Sequence, residues 1–297
     1  MEWEFELVSG PHKGPTDGPC WDGTALLFSA IRQSCILRYD PSTSSVTEFR
    51  KYLPRLKGLA LDAEGNLYGC QSGSRRILRF NRDGSTYPME NRLNGHVHNY
   101  PDDLAVDSQG RIWFSDPYDP VPSLGPQLQG SLAHASVLRL EIDPNRHIWK
   151  IRRMTNDTTS PRGVLLSPDE RTLYVAQSDE DGQGKRELRA YPILGTDSLG
   201  SYTVLHAFGA DHRGPHRGID GMCLDCEGNI IACAGWRRSG PGPMIYAFSP
   251  EGRILETHPV PADEPTNCAF GDPGLGTLYV TTAEGHLYRV FNTGRHG

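Results

Sequence analysis

A polar residue, a short apolar run, an Asp or Ser, a Gly-centred turn and a second apolar run recur six times along this chain. The phrase is clearest in Lys57-Gly-Leu-Ala-Leu-Asp62-Ala-Glu-Gly65-Asn-Leu-Tyr68, Asp102-Asp-Leu-Ala-Val-Asp107-Ser-Gln-Gly110-Arg-Ile-Trp113 and Asp220-Gly-Met-Cys-Leu-Asp225-Cys-Glu-Gly228-Asn-Ile-Ile231. Arg162-Gly-Val-Leu-Leu-Ser167 leads through Pro168 to Thr172-Leu-Tyr174 in the same way, and looser copies start at Asp17 and Thr266. Apolar runs this short, bounded by Asp, Gly and Pro turns, predict strands. Self-similarity at a period of roughly 40 to 60 residues, each unit built of short strands, predicts a β-propeller.

Further apolar runs follow most copies: Ser34–Tyr39 and Ser45–Phe49, Arg76–Phe80, Ser136–Glu141, Glu187–Tyr191 and Met244–Phe248. Each repeat therefore has room for four strands, which is the anatomy of a blade. The last repeat reaches its third strand at Leu287–Phe291 and ends at Gly297 without space for a fourth. Glu2-Trp-Glu-Phe-Glu-Leu7 alternates charged and apolar residues and can supply the missing strand. The expected fold is all-β: one six-bladed propeller domain over residues 1–297, its ring closed by the N-terminal strand.

Composition narrows the partners. A net charge of −6 over 297 residues offers no basic footprint for phosphate backbones, and no apolar stretch is long enough to span a bilayer as a helix. Nucleic acid and membrane are therefore not expected partners, and a small molecule is. The acidic start, Met1-Glu-Trp-Glu-Phe-Glu-Leu7, lacks the basic n-region and apolar run of a secretory signal, so a cytoplasmic protein is expected. Seven cysteines lie mostly in apolar strand patterns and read as reduced, buried thiols. Cys223 and Cys226 form a Cys-x-x-Cys with no second pair at zinc-site spacing, which favours a structural role.

The first strand of a propeller blade begins beside the central channel. The residue preceding each first apolar run should thus point into one funnel: Asp17, Lys57, Asp102, Arg162, Asp220 and Thr266. Five ionisable groups converging at six equivalent positions must be paired, hydrated or bound to an ion. A salt-bridged plug is the purely structural alternative. The connections from second to third strand lie on the same face, and three are long: 117–135, 178–186 and 236–243. They place Tyr118, His134, Trp236, Arg237 and Arg238 as candidates for the rim of a pocket, with His96 and His98 near the same mouth.

These residues resemble the SMP-30/gluconolactonase/luciferin-regenerating-enzyme family over essentially the whole chain. The resemblance rests on Asp17-Gly-Pro-Cys-Trp-Asp22, Pro101-Asp-Asp-Leu104, Phe114-Ser-Asp-Pro-Tyr118, Leu166-Ser-Pro-Asp169 with Thr172-Leu-Tyr-Val175, Asp220-Gly-Met222 and Pro265-Thr-Asn-Cys-Ala-Phe270. It implies a six-bladed propeller that binds one divalent cation (Ca, Mg, Mn or Zn) in the funnel and opens lactones or related esters. By motif it places the family's metal-binding Glu on Asp17, a funnel Asn on Asp102, a ligand Asn on Arg162, and a ligand and proposed base Asp on Asp220. Only the last is unchanged, and Arg for Asn sets a permanent cation where the metal's charge would be.

Two mechanisms follow. In one, Asp17, Asp102 and Asp220 hold a cation that polarises a lactone carbonyl while Asp220 activates water. In the other, which needs no metal, Arg162 and Lys57 stabilise a developing oxyanion or enolate while Asp220 or Asp102 moves protons. The second is favoured slightly, and it leaves lyase, isomerase or cyclase chemistry open beside hydrolysis. Tyr118, His98, Trp236, Arg237 and Thr266 are the candidate substrate contacts in either case. A non-enzymatic binding propeller is the remaining alternative.

Overall fold

The Asp and Gly of each repeat do their work locally, in the turn between the first and second strands of a blade. Asp107 Oδ1 accepts the backbone N–H groups of Gln109 and Arg111 at 3.0 and 2.9 Å, and Gly110 takes the left-handed conformation (φ 73°) that closes the turn. Asp62 and Asp225 repeat the arrangement on Asn66 and Asn229, and the Ser167 hydroxyl accepts from Thr172 N in its place. In five blades the strand after the turn is buried at every residue, Leu26–Ala30, Leu67–Gln71, Ile112–Asp116, Ile230–Trp236 and Thr277–Thr282, and in blade 4 Thr172–Ser178 is buried at all but its first. Burial on both faces explains why these strands read as continuous apolar runs, whereas the outermost Ser45–Lys51 is mostly exposed.

The computed structural model describes residues 2–125, 130–179, 184–195, 197–291 and 293–297. Six antiparallel sheets follow one another as blades. Blade 1 runs from Thr16–Trp21 to Ser45–Lys51, blade 2 from Leu56–Leu61 to Thr86–Pro88, and blade 3 from Leu104–Val106 to Trp149–Arg153. Blade 4 runs from Pro161–Leu166 to Thr203–Ala207 and blade 5 from Ile219–Leu224 to Ile254–Pro259. Blade 6 combines Pro265–Gly271, Thr277–Thr282 and Leu287–Val290 with Phe5–Ser9 from the chain's start, the last two paired antiparallel from Phe5 opposite Val290. The expected N-terminal closure is thus present, over Phe5–Ser9 rather than over the Glu2–Leu7 stretch that the charge alternation suggested. Trp3 lies outside the strand, buried in the core and stacked on His258 with ring centroids 3.9 Å apart.

The hydrophobic core is not one body but six wedges, one between each pair of neighbouring blades. The wedge between blades 5 and 6 gathers Trp3, Ile231, Cys233, Ile245, Cys268, Phe270, Leu278 and Val280; the wedge between blades 1 and 2 gathers Leu27, Ile36, Leu56, Leu67 and Phe80. One expected loop is absent. Residues 236–243, read as a long connection, extend the hairpin of blade 5, with Trp236 opposite Ser239 and a turn at Arg237-Arg238. Gly240 and Gly242, which alternate there with Pro241 and Pro243, take positive φ (72° and 101°), a conformation that glycine admits without steric cost. Parts of the other two long connections, residues 126–129 and 180–183, lie outside the described residues.

Candidate active site

The first strand of a blade carries a β-bulge where it reaches the axis. Register shifts fall between Asp17 and Cys20, Leu56 and Leu59, Pro161 and Val164, Ile219 and Met222, and Pro265 and Asn267. A bulge re-aims side chains. Here it leaves Asp17, Lys57, Arg162 and Asp220 partly exposed at the axis between buried neighbours.

The next position on each strand sets how closely the strands approach. It is Gly in four blades (Gly18, Gly58, Gly163 and Gly221) and Asp103 or Asn267 in the other two. A Cβ on Gly58 would stand 2.7 Å from Asp103 Oδ1, and one on Gly163 would stand 2.6 Å from the Asp220 carbonyl. Blades 3 and 6 face each other across the axis. In the space the glycines leave, Asn267 Nδ2 donates to Asp103 Oδ1 at 3.4 Å, bridging the channel. Val164 N donates to the other Asp103 oxygen at 3.3 Å. Burial, reinforced by the charge of Asp17, pushes the Asp103 carboxyl well above its usual range.

On one side of this bridge stands the charged ring. Lys57 Nζ donates to Asp102 Oδ1, and Arg162 Nη1 reaches Asp102 Oδ2 at 3.5 Å. Although burial opposes it, those two cations hold Asp102 below its usual value, and Asp102 in turn raises Lys57. Arg217, buried and unremarked in the sequence, donates to Asp220 Oδ2 at 2.5 Å. Asp17 is different: burial first, then the charges of Asp220 and Asp102, push its carboxyl up to about 7. The funnel thus holds one carboxyl poised near neutrality beside two cations. No local motif marked Arg217, because its meaning depends on the bulge that turns Asp220 toward it.

The other predicted contacts divide. Thr266 occupies its ring position, but its buried hydroxyl donates to the Thr16 carbonyl at 2.7 Å. His98 is wholly interior, with Nδ1 3.0 Å from Asp116 Oδ1 and its ring edge-on to Phe114. Trp236 is buried too, donating to Ser239 Oγ at 2.6 Å beneath the Arg238 guanidinium. Neither forms an open rim, because His98 packs inside the fold and Trp236 ends a buried strand of the blade 5 hairpin. Tyr118 is half exposed and donates to the Leu132 carbonyl, whereas Arg237 is exposed and engaged with Glu284 and the Pro261 carbonyl. His96 is exposed on a small hairpin, and His134 lies 2.9 Å from Ser136 Oγ. The segment after Tyr118 leans over the funnel, where Asp119 pairs with Arg55 and its charge reaches Lys57.

A divalent cation requires several free oxygen donors converging on one point. Two of the three ring carboxylates are committed to internal cations, Asp102 to Lys57 and Arg162 and Asp220 to Arg217. Among the described residues no group of three or more Asp, Glu, His or Cys is arranged to hold a metal ion. The donor set as folded therefore does not fit the cation that the family resemblance implies.

On the far side of the Asp103–Asn267 bridge, the turn ends of the first strands enclose a second mouth, a cavity of about 600 Å³ with Leu59, Leu61, Leu104, Val164, Met222 and Phe270 in its wall. Charge and apolar surface thus occupy opposite ends of the axis. Among the described residues no helix is long and apolar enough to cross a membrane.

Known proteins share this architecture. A gluconolactonase from Zymomonas mobilis is 27% identical over 296 residues, covering 90% of this chain and 76% of its own. A regucalcin from Xenopus laevis is 27% identical over 273 residues, covering 90% and 82%. Among solved structures, a gluconolactonase from Xanthomonas campestris superposes with a TM-score of 0.78 at 28% identity, covering 97% of this chain and 89% of that one. With residues 15–284 matching the model of the SMP-30/gluconolactonase/LRE-like region, the chain belongs to that family.

Proposed function

We propose that this chain hydrolyses a small polar lactone or related cyclic ester in the charged funnel, with its own side chains doing the work assigned elsewhere to a metal. The observation that carries this reading is that Asp17, whose carboxyl is raised to about 7, shares one ring with the Lys57 and Arg162 cations that hold Asp102. A group with that pKa both accepts and returns a proton at neutral pH. Kinship with proteins named gluconolactonase supports the substrate class.

Ionised Asp17 takes a proton from water as the water oxygen adds to the lactone carbonyl. Lys57 and Arg162 stabilise the oxyanion that develops, in a site where fixed charges act with little solvent screening. Collapse of the tetrahedral intermediate breaks the ring C–O bond, Asp17 returns the proton to the departing oxygen, and one lactone and one water become one hydroxy acid. Asp102 and Asp220, each held by cations, fix the ring and set the charge that Asp17 feels. In this reading Asp17 takes the proton-transfer role that the sequence left to Asp220 or Asp102.

The test is acid release from a panel of sugar-acid lactones by wild type, Asp17→Asn and Asp220→Asn, before and after chelation. Activity that survives chelation and falls about 10²–10⁴-fold in Asp17→Asn supports the proposal. Activity abolished by chelation and restored by a divalent cation overturns the metal-free reading. Solvent-hydrogen exchange next to a carbonyl without ring opening would point instead to a lyase or isomerase.

A further inference from the structure

Three thiols meet at the mouth opposite the charged funnel. Cys223, on the first strand of blade 5, and Cys268, on the first strand of blade 6, both line the cavity, their sulfurs 3.6 Å apart. Cys233 stands behind them on the second strand of blade 5, in the same wedge. While it carries its proton, Cys268 Sγ also donates to the Ile231 carbonyl at 3.4 Å. All seven cysteines of the chain are free thiols. Cys268 hydrogen-bonds with Cys223 in this cluster, a contact that lowers the Cys268 thiol from its usual value and raises that of Cys223. Cys20 lines the same cavity, but burial pushes its thiol up to about 12. Proximity to this cavity therefore does not by itself make a cysteine reactive; the hydrogen bonds at Cys268 single it out.

We propose that Cys223 and Cys268 form a peroxide-responsive dithiol, a modification site separate from the funnel, whose co-substrate is a small hydroperoxide entering through the apolar mouth. The Cys268 thiolate attacks the peroxide oxygen, the O–O bond breaks, and hydrogen peroxide yields the Cys268 sulfenic acid and hydroxide. The Cys223 sulfur then attacks the Cys268 sulfur and expels the sulfenic oxygen; with the Cys223 proton this leaves as water and a disulfide remains. Two electrons pass from the thiol pair to the peroxide. The sulfurs have to close from 3.6 Å to about 2 Å. The product staples the inner strands of blades 5 and 6, the interface against which the N-terminal segment packs.

The experiment is peptide mapping of the full-length protein after exposure to excess hydrogen peroxide, blocking of remaining thiols and digestion without reductant. The expected result is a Cys223–Cys268 cross-linked peptide that dithiothreitol dissolves, with Cys20 still reduced. The Cys223→Ser variant should instead accumulate a Cys268 sulfenic acid trapped by dimedone. Oxidation confined to the exposed Cys226, indiscriminate pairing among the seven thiols, or no loss of thiols at all would overturn the proposal. The wild-type map decides alone if Cys223→Ser does not fold. None of these readouts depends on lactone turnover, so the outcome is independent of the proposed hydrolysis.

Discussion

Asp17 shows how one side chain's surroundings set its chemistry. An ordinary Asp carboxyl titrates near 3.8, and that of Asp17 is raised to about 7 in the folded ring, so the native state binds its proton more tightly than the unfolded chain does. Stability from this group is full below pH 3.8 and lost as pH rises through about 7. Asp17→Asn, a permanent stand-in for the protonated form, should flatten the decline in stability over that window, as followed by urea unfolding at a series of pH values. Activity runs the other way: kcat/KM should climb with pH on a limb near 7 that the variant lacks. Arg162 yields the complementary prediction. With its guanidinium near Asp102 removed, Arg162→Asn should bind Ca²⁺ or Mg²⁺ more tightly by isothermal titration calorimetry; unchanged affinity would mean Arg162 does not guard the ring.

In five of the six blades the opening strand combines a bulge, a ring residue and a tight approach, and its logic was only partly visible in the residues. The Asp-x-x-Gly turns at Asp62, Asp107 and Asp225 could be read directly, because each closes on hydrogen bonds within four residues. The ring residues were legible because the phrase repeats and each is its opening polar position. The pairing of Asp103 with Asn267 was not, since 164 positions separate them and only the closed circle sets them face to face. The signal was nonetheless present: four repeats carry Gly at a position where two carry Asp or Asn. Gly221 should therefore be intolerant of a side chain, as its Cβ would run into Asn267. Gly221→Ala should cost about 1–3 kcal/mol in denaturant unfolding, and Asn267→Ala should recover part of that loss in the double variant.

Across the whole molecule, stability depends on wedges joined in a circle, with one seam sealed by residues from both ends of the sequence. The seam was legible because the last repeat lacks a strand and the first residues alternate in character. Its anchoring was not, because Trp3 lies outside the strand and is held by stacking on His258. Trp3→Ala should cost about 3–5 kcal/mol, read by thermal or urea unfolding, far more than an exposed N-terminal residue would. The burial of His98 and Trp236 was not legible for a related reason: a residue in a connecting stretch of the sequence reads as solvent-facing until the blades beside it are assembled.

The hydrogen-bonded bar that Asp103 and Asn267 lay across the axis turns a tunnel into two blind wells. A molecule transformed in the polar well has to back out the way it came, so a lingering hydroxy acid would block the next lactone. Competitive inhibition by product is the kinetic signature of that dead end.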